Sequence, residues 1–182
     1  SALNYAPVIA IMTQLMPLAQ SKGMTAELAV GAVSFLGIAA IGGALLSGFL
    51  VDRFWAPMIA FILNITPAMG CLLLLPDTVE PWMLYASVLM IGLGQGAEID
   101  IVAFMIARYF GLRSYATIYG LSVLAIALSV AVAASAIGQA YDYFGSYNIP
   151  LMCASASFPL AAISYLLMGR YPKGDPDAPE VC

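Results

Sequence analysis

The chain has 182 residues, 63% of them hydrophobic and only 9% charged, with a net charge of -4 and a mean hydropathy of +0.96. A water-soluble domain carries about 25% charged residues, so too few charges exist here to solvate a particle of this size, and lipid is the expected solvent. The absence of histidine excludes His-ligated metal sites and His-based triads, and no basic stripe is present for nucleic acid.

A helix crossing the hydrocarbon core needs about 20 mostly apolar residues, and that ruler predicts six spans in chain order. The first runs over residues 3–19, the second over 28–51 and the third over 57–75. The fourth covers 82–107, the fifth 115–140 and the sixth 149–168. Short polar connections separate them: Ser21-Lys22-Gly23, Asp52-Arg53, the segment 76–81 with Asp77 and Glu80, the segment 108–114, and the segment 142–148. The runs are too long for strands and lack alternation, which excludes a β-barrel. No run has a charged face of the kind that the outer helices of a soluble bundle require. The fold class is therefore all-α and integral to a membrane. Residues 1–170 form the six-span bundle, and the proline-rich, polar residues 171–182 are expected to be a disordered cytoplasmic tail.

Orientation follows from lysine and arginine near the span ends. Arg53, Arg108, Arg113, Arg170 and Lys173 fall on one side and Lys22 alone on the other. The first set should be cytoplasmic, which puts both ends of the chain inside a cell (inner) membrane. The sequence starts at Ser1 immediately before an apolar run, and an upstream part is expected to be missing.

The second span ends in Gly48-x-x-x-Asp52-x-Phe54 and the fifth in Gly138-x-x-x-Asp142-x-Phe144. Each copy closes the middle helix of a three-helix set, and the two copies fall on opposite sides of the membrane. Two inverted three-helix repeats would produce this pattern, although chance could also produce three matched letters.

Candidate chemistry concentrates in the fourth span, in Gly92-Leu-Gly-Gln-Gly-Ala-Glu-Ile-Asp100. A carboxylate at mid-membrane costs roughly 2.5–3.5 kcal/mol on insertion scales and usually faces protein or a water-filled cavity. Glu98 and Asp100 are about 200° apart around a helix, so they cannot share one face. Gln95, three residues before Glu98, lies on its side. Glu98 and Asp100 are thus candidate substrate or proton groups, with structural hydrogen bonds or an ion pair to Arg108 as the alternative. Gln14, Asn64 and Thr66 are further in-span polar side chains, expected as interhelical bonds or cavity lining. Gly92, Gly94 and Gly96 read as a smooth packing surface. Pro7, Pro17, Pro67 and Pro159 signal kinks or breaks. Trp55, Trp82, Tyr109 and Tyr115 read as interfacial anchors. Cys71 and Cys153 lie inside apolar runs at spacings that suggest neither a metal site nor a disulfide framework, and packing is their expected role.

The segment Gly48-Phe-Leu-Val-Asp-Arg53, between the second and third spans, resembles the Gly-x-Leu-x-Asp-Arg loop of the major facilitator superfamily. The segments Arg108 to Tyr115, Ile118-Tyr-Gly120 and Tyr141 to Tyr147 are similar to bacterial members related to monocarboxylate porters and oxalate–formate antiporters. The further basic residues of the full loop motif are absent, and Phe54-Trp55-Ala56-Pro57 stand there instead. That shortened form resembles the copy in the family's C-terminal half. The resemblance implies the second half of a twelve-span secondary transporter that works by alternating access. It makes Gly48, Asp52 and Arg53 a cytoplasmic gate loop, with a solvated turn as the other reading. The implied partners are the lipid bilayer, a small solute such as an organic anion with a proton, and the missing N-terminal half of the same protein. No basic residue lies mid-span, so an anion would need a cation from that other half; otherwise the substrate is not an anion.

No P-loop and no Gly-x-Ser-x-Gly motif occurs, so neither an ATP-driven pump nor a hydrolase is expected, and no cofactor. The remaining alternative to a transporter is a non-transporting polytopic membrane subunit or receptor.

Overall fold

The computed structural model describes residues 2–76, 78–144, 147–167 and 169. Among them seven helices follow one another: α1 (Ala2–Thr13), α2 (Leu15–Ser21), α3 (Ala26–Val51), α4 (Ala56–Leu73), α5 (Pro81–Phe110), α6 (Tyr115–Phe144) and α7 (Asn148–Leu166). By length and composition α3, α4, α5 and α6 can each cross a membrane, and α7 contributes a shorter apolar helix. The expected tail from 171 onward lies outside the described residues, as do Arg170 and Lys173.

Local chemistry sets the boundaries. Thr25 caps α3, its hydroxyl accepting from the Leu28 N–H at 3.4 Å. Pro57 and Pro81 occupy the first turns of α4 and α5, where the missing N–H has no helical partner to lose. Gly111 ends α5 at φ 74°. At the end of α2, Gly23 adopts φ 83°. Its N–H donates to Gln20 O and the Met24 N–H to Ala19 O, the paired closure of a Schellman motif that glycine accommodates without strain.

One expected element is corrected. The first span is not a single helix over 3–19 but two helices broken at Gln14. The cause is Pro17, whose ring clashes with the carbonyl four residues back. That carbonyl belongs to Thr13, the last residue of α1. The ladder restarts with the Leu18 N–H on Gln14 O at 2.8 Å. Pro7, Pro67 and Pro159 lie inside continuous helices.

Small residues bring α5 close to its neighbours. A Cβ on Gly92 would meet the Ala39 side chain, and one on Gly96 would overlap the Ala40 carbonyl. On the other side, a Cβ on Gly94 would strike the Pro67 ring. Gly43 of α3 faces the Leu93 backbone, and Gly70 of α4 faces the Ser87 carbonyl. These glycines are contact points between helix backbones, which maximises dispersion where no hydrophobic effect drives association.

The helix partners form a regular scheme. α5 packs on α3 and α4, α1 packs on α6 and α7, and α4 meets α7. Exchanging α1–α2, α3 and α4 for α5, α6 and α7 maps this scheme onto itself. The two middle helices stay bare: 6% of the apolar window of α6 and 28% of that of α3 is buried, against 56% for α4 and 50% for α5. Ile38, Ile41, Leu45 and Phe49 of α3 and Leu121, Leu124, Leu128 and Val132 of α6 are exposed.

The buried side chains form two clusters. One contains Val8, Ile11, Leu15, Leu74, Leu84, Val88, Ile91 and Phe158. The other contains Val51, Ile59, Leu63, Ala97, Ile101, Met105 and Tyr165. α5 feeds both, and residues 92–96 form the seam between them. At the end of the bundle near the first cluster, Lys22 Nζ donates to Leu75 O (3.2 Å), Pro76 O (2.9 Å) and Asn148 Oδ1 (2.8 Å). The Lys22 ammonium is thus held by carbonyl oxygens of the loop after α4 and by the first residue of α7.

Candidate functional site

Glu98 is the only charged residue in the core of the described structure, with 2% of its surface exposed. Its position follows from the glycines before it. Gly92 and Gly96 turn toward α3 and Gly94 toward α4; Glu98, four residues after Gly94, follows Gly94 away from α3. Asn4 of α1 donates from Nδ2 to Glu98 Oε2 at 2.7 Å. Tyr165 of α7 stands close to the same carboxylate, and Tyr5 of α1 stands beside Gln95. Three helices thus converge on one carboxyl group.

The cluster is under-satisfied. Glu98 Oε1 and the Tyr165 hydroxyl, which stand close to one another, and Asn4 Oδ1 and Gln95 Oε1, the latter beside Tyr5, are buried without a close, well-aligned hydrogen bond among the described residues. Native interiors pair the large majority of such atoms. Such a group on facing helices leaves polar capacity that water or a ligand can complete.

Two cavities open on this cluster. The first, of about 430 Å³, is walled by Tyr5 and Ile9 of α1, Glu98 and Val102 of α5, and Tyr119 to Val130 of α6. The second, of about 330 Å³, runs past Val102, Ser122 and Tyr165 to Phe110 and Ile118, at the helix ends that carry Arg108 and Arg113. Val102 and Ser122 line both, so the two cavities are neighbours. No lysine or arginine lines either.

Asp100 lies elsewhere, as the 200° separation requires. It is exposed and shares a cavity of about 90 Å³ with Ser47, Gly48, Asp52 and Phe104. The loop residues Gly48 and Asp52 and the in-span Asp100 therefore meet at one end of the α3–α5 pair. Arg53 is exposed and stacks over the Phe49 ring, 4.2 Å from its centroid. Arg108 lies 5.4 Å from the Phe104 centroid. Gln14 sits at the helix break, where its Oε1 accepts from the Tyr147 hydroxyl at 3.3 Å. Asn64 is buried in α4 and donates to Ala60 O of its own helix at 2.6 Å. Thr66 likewise bonds within α4, to Leu63 O. Neither of the two lines the cleft beside Glu98.

Cys71 is fully buried in the first cluster, and Cys153 is exposed. Of the interfacial aromatics, Trp82 Nε1 donates to Glu80 at 2.6 Å and the Tyr109 hydroxyl to Gly169 O at 2.6 Å. The side chains of Asp142 and Phe144, from the second copy of the repeat motif, lie outside the described residues.

Asn4, Tyr5 and Tyr165 are missing from the sequence-derived site. Asn4 had a readable signal, an amide inside the first apolar run. The two tyrosines had none, because nothing in one dimension brings residues 5 and 165 to residue 98.

Membrane-length helices packed on glycines around a buried carboxyl group define a polytopic membrane protein. The model of the Major Facilitator Superfamily matches residues 2–134. The chain belongs to that superfamily, whose members are membrane transporters. No curated protein matches the chain.

Proposed function

We propose that this chain supplies one six-helix half of a secondary transporter that moves a small organic solute by alternating access, with Glu98 at the centre of its pathway. The observation that carries this reading is the buried Glu98 carboxyl group, held by Asn4 with Tyr165 close by, at the wall of the first cavity. A carboxylate in that setting is costly to maintain and is tolerated where it contacts a pathway.

The self-mapping of the helix partners supports two inverted three-helix repeats. The bare faces of α3 and α6, one from each set, are the surfaces that a second half of the same protein would cover. Arg53, Arg108 and Arg113 at one end support a cytoplasmic location for that end, and for the C-terminus, in a cell membrane. In this orientation the second cavity, which shares Val102 and Ser122 with the first, lies on the cytoplasmic side of Glu98. Asp52, with Asp100 beside it, belongs to the gate at that edge, where a carboxylate can hold one conformation by binding a helix N-terminus or an arginine of the other half.

The test is uptake by the full-length protein in sealed proteoliposomes under an imposed pH or solute gradient. Saturable accumulation of a small organic solute is expected. Saturable binding without translocation, across gradients of either sign, would instead favour a receptor or a non-transporting subunit.

A further inference from the structure

We propose that the cleft beside Glu98 binds an amphipathic organic cation, and that Glu98 Oε1 is its counter-ion. The proposal rests on the transporter reading for its consequence, but the binding site itself stands on geometry.

Three features select the ligand class. The walls are overwhelmingly apolar, with Ile9, Val102, Val123, Ile126 and Val130 supplying the surface, so the ligand's body is hydrophobic. At about 430 Å³ the cavity falls within the usual range, about 300–1,000 Å³, of small-molecule sites. The acid on the wall is Glu98, which is buried, lines the cleft and is negative when ionised.

No lysine or arginine among the described residues balances that charge. Lys22, Arg53, Arg108 and Arg113 all sit at helix ends or in loops, and none lines the cleft or the neighbouring cavity. Lys22 is in addition bound by carbonyl oxygens. A carboxylate ligand would therefore meet a like charge in a low-dielectric site, where repulsion is strongest. A cation meets the opposite charge, and the Tyr5 and Tyr119 rings that line the same cavity offer it aromatic faces. Beside Glu98, Gln95 Oε1 and Asn4 Oδ1 are acceptors, and the Tyr165 hydroxyl can donate or accept. The two acceptors suit a ligand that donates, such as a protonated amine.

Binding to the purified full-length protein tests this with three aromatic probes that differ in charge: tetraphenylphosphonium, the smaller anion benzoate, and neutral triphenylphosphine oxide. Tetraphenylphosphonium carries a permanent charge and no donor, so it isolates the electrostatic part. It is expected to bind saturably and at least about tenfold tighter than the neutral probe, with benzoate weakest. Glu98→Gln should weaken it about tenfold or more, and Glu98→Asp, which keeps the charge, considerably less. Ala127→Trp, which fills the cleft from α6 without touching the carboxylate, should also weaken it. This variant decides the matter if Glu98→Gln elutes as an aggregate.

Benzoate binding as tightly as the cation, or unchanged cation affinity in both Glu98→Gln and Ala127→Trp, overturns the proposal. If the cation pattern holds but no solute is ever translocated, the transporter reading fails and the site stands. If solutes are translocated but the cation pattern is absent, the site fails and the transporter reading stands.

Discussion

Gly96→Leu is expected to prevent the full-length protein from folding to a monodisperse species in detergent, while Gly120→Leu is tolerated. The difference lies in what each Cβ would meet. At Gly96 it would overlap the Ala40 carbonyl, a backbone atom that cannot rotate away, and the rest of the leucine side chain would have to follow it. At Gly120 nothing lies within 4 Å. Overpacking by a few methylene groups costs about 1–3 kcal/mol in a core where side chains can adjust. Between two helix backbones they cannot, so α3 and α5 must separate. Total protein stability is about 5–15 kcal/mol, and opening the α3–α5 contact would remove a large share of it. Size-exclusion profiles and thermal unfolding of the two variants, compared with the parent, check this. Equal behaviour of the pair would show that the glycine contacts do not hold the bundle together.

Glu98→Gln should leave folding intact and reduce solute flux by roughly 10–100-fold. Glutamine keeps the shape and an acceptor for the Asn4 amide, so the 2.7 Å contact between α1 and α5 survives in kind. What disappears is the ability to ionise. Hydrogen bonds to charged groups contribute about 1.5–3 kcal/mol, which converts to that range at about 1.4 kcal/mol per tenfold. Asp100→Asn, in a separate cavity next to Asp52, should leave solute affinity within about twofold in the same assay. Asn4→Leu should be harsher on folding than Glu98→Gln, because it leaves both oxygens of a buried carboxyl group without an amide donor. Removing one partner of a buried pair costs the full desolvation of the group left behind. Flux in reconstituted vesicles, normalised to folded protein, checks all three.

The bundle was largely legible in the sequence because lipid imposes a one-dimensional rule. Each long apolar run must satisfy its own backbone as a helix, and the polar breaks between runs show where each one stops. α3 to α6 accordingly begin and end within a few residues of the expected spans, and of the four prolines that signal kinks or breaks Pro17 is the one that follows a break. The glycine series in α5 was readable as packing surface, and each of its three members touches a neighbouring helix. Angular spacing alone separated Glu98 from Asp100, and the structure puts them in different cavities.

The assembly of the site was not legible. Asn4 and Tyr165 are 94 residues before and 67 residues after Glu98, and only the packing of α1 and α7 beside α5 brings them together. Gln14 and Asn64, plausible from polarity alone, are engaged by a tyrosine hydroxyl and by a carbonyl of the same helix. Polarity marks which side chains are out of place in lipid, whereas the choice among possible partners depends on tertiary contacts.

The most direct test of Glu98 as the centre of a transport pathway is chemical access to Ser122, which lines both cavities. Ser122→Cys, placed in the full-length protein with Cys71, Cys153 and Cys182 replaced, would be labelled by a membrane-impermeant maleimide added to each side of sealed vesicles in turn. The account predicts labelling from both sides, with solute slowing the reaction and a solute gradient changing which side reacts faster. A cysteine at 122 that never reacts, or that reacts at a rate solute does not alter, would contradict it.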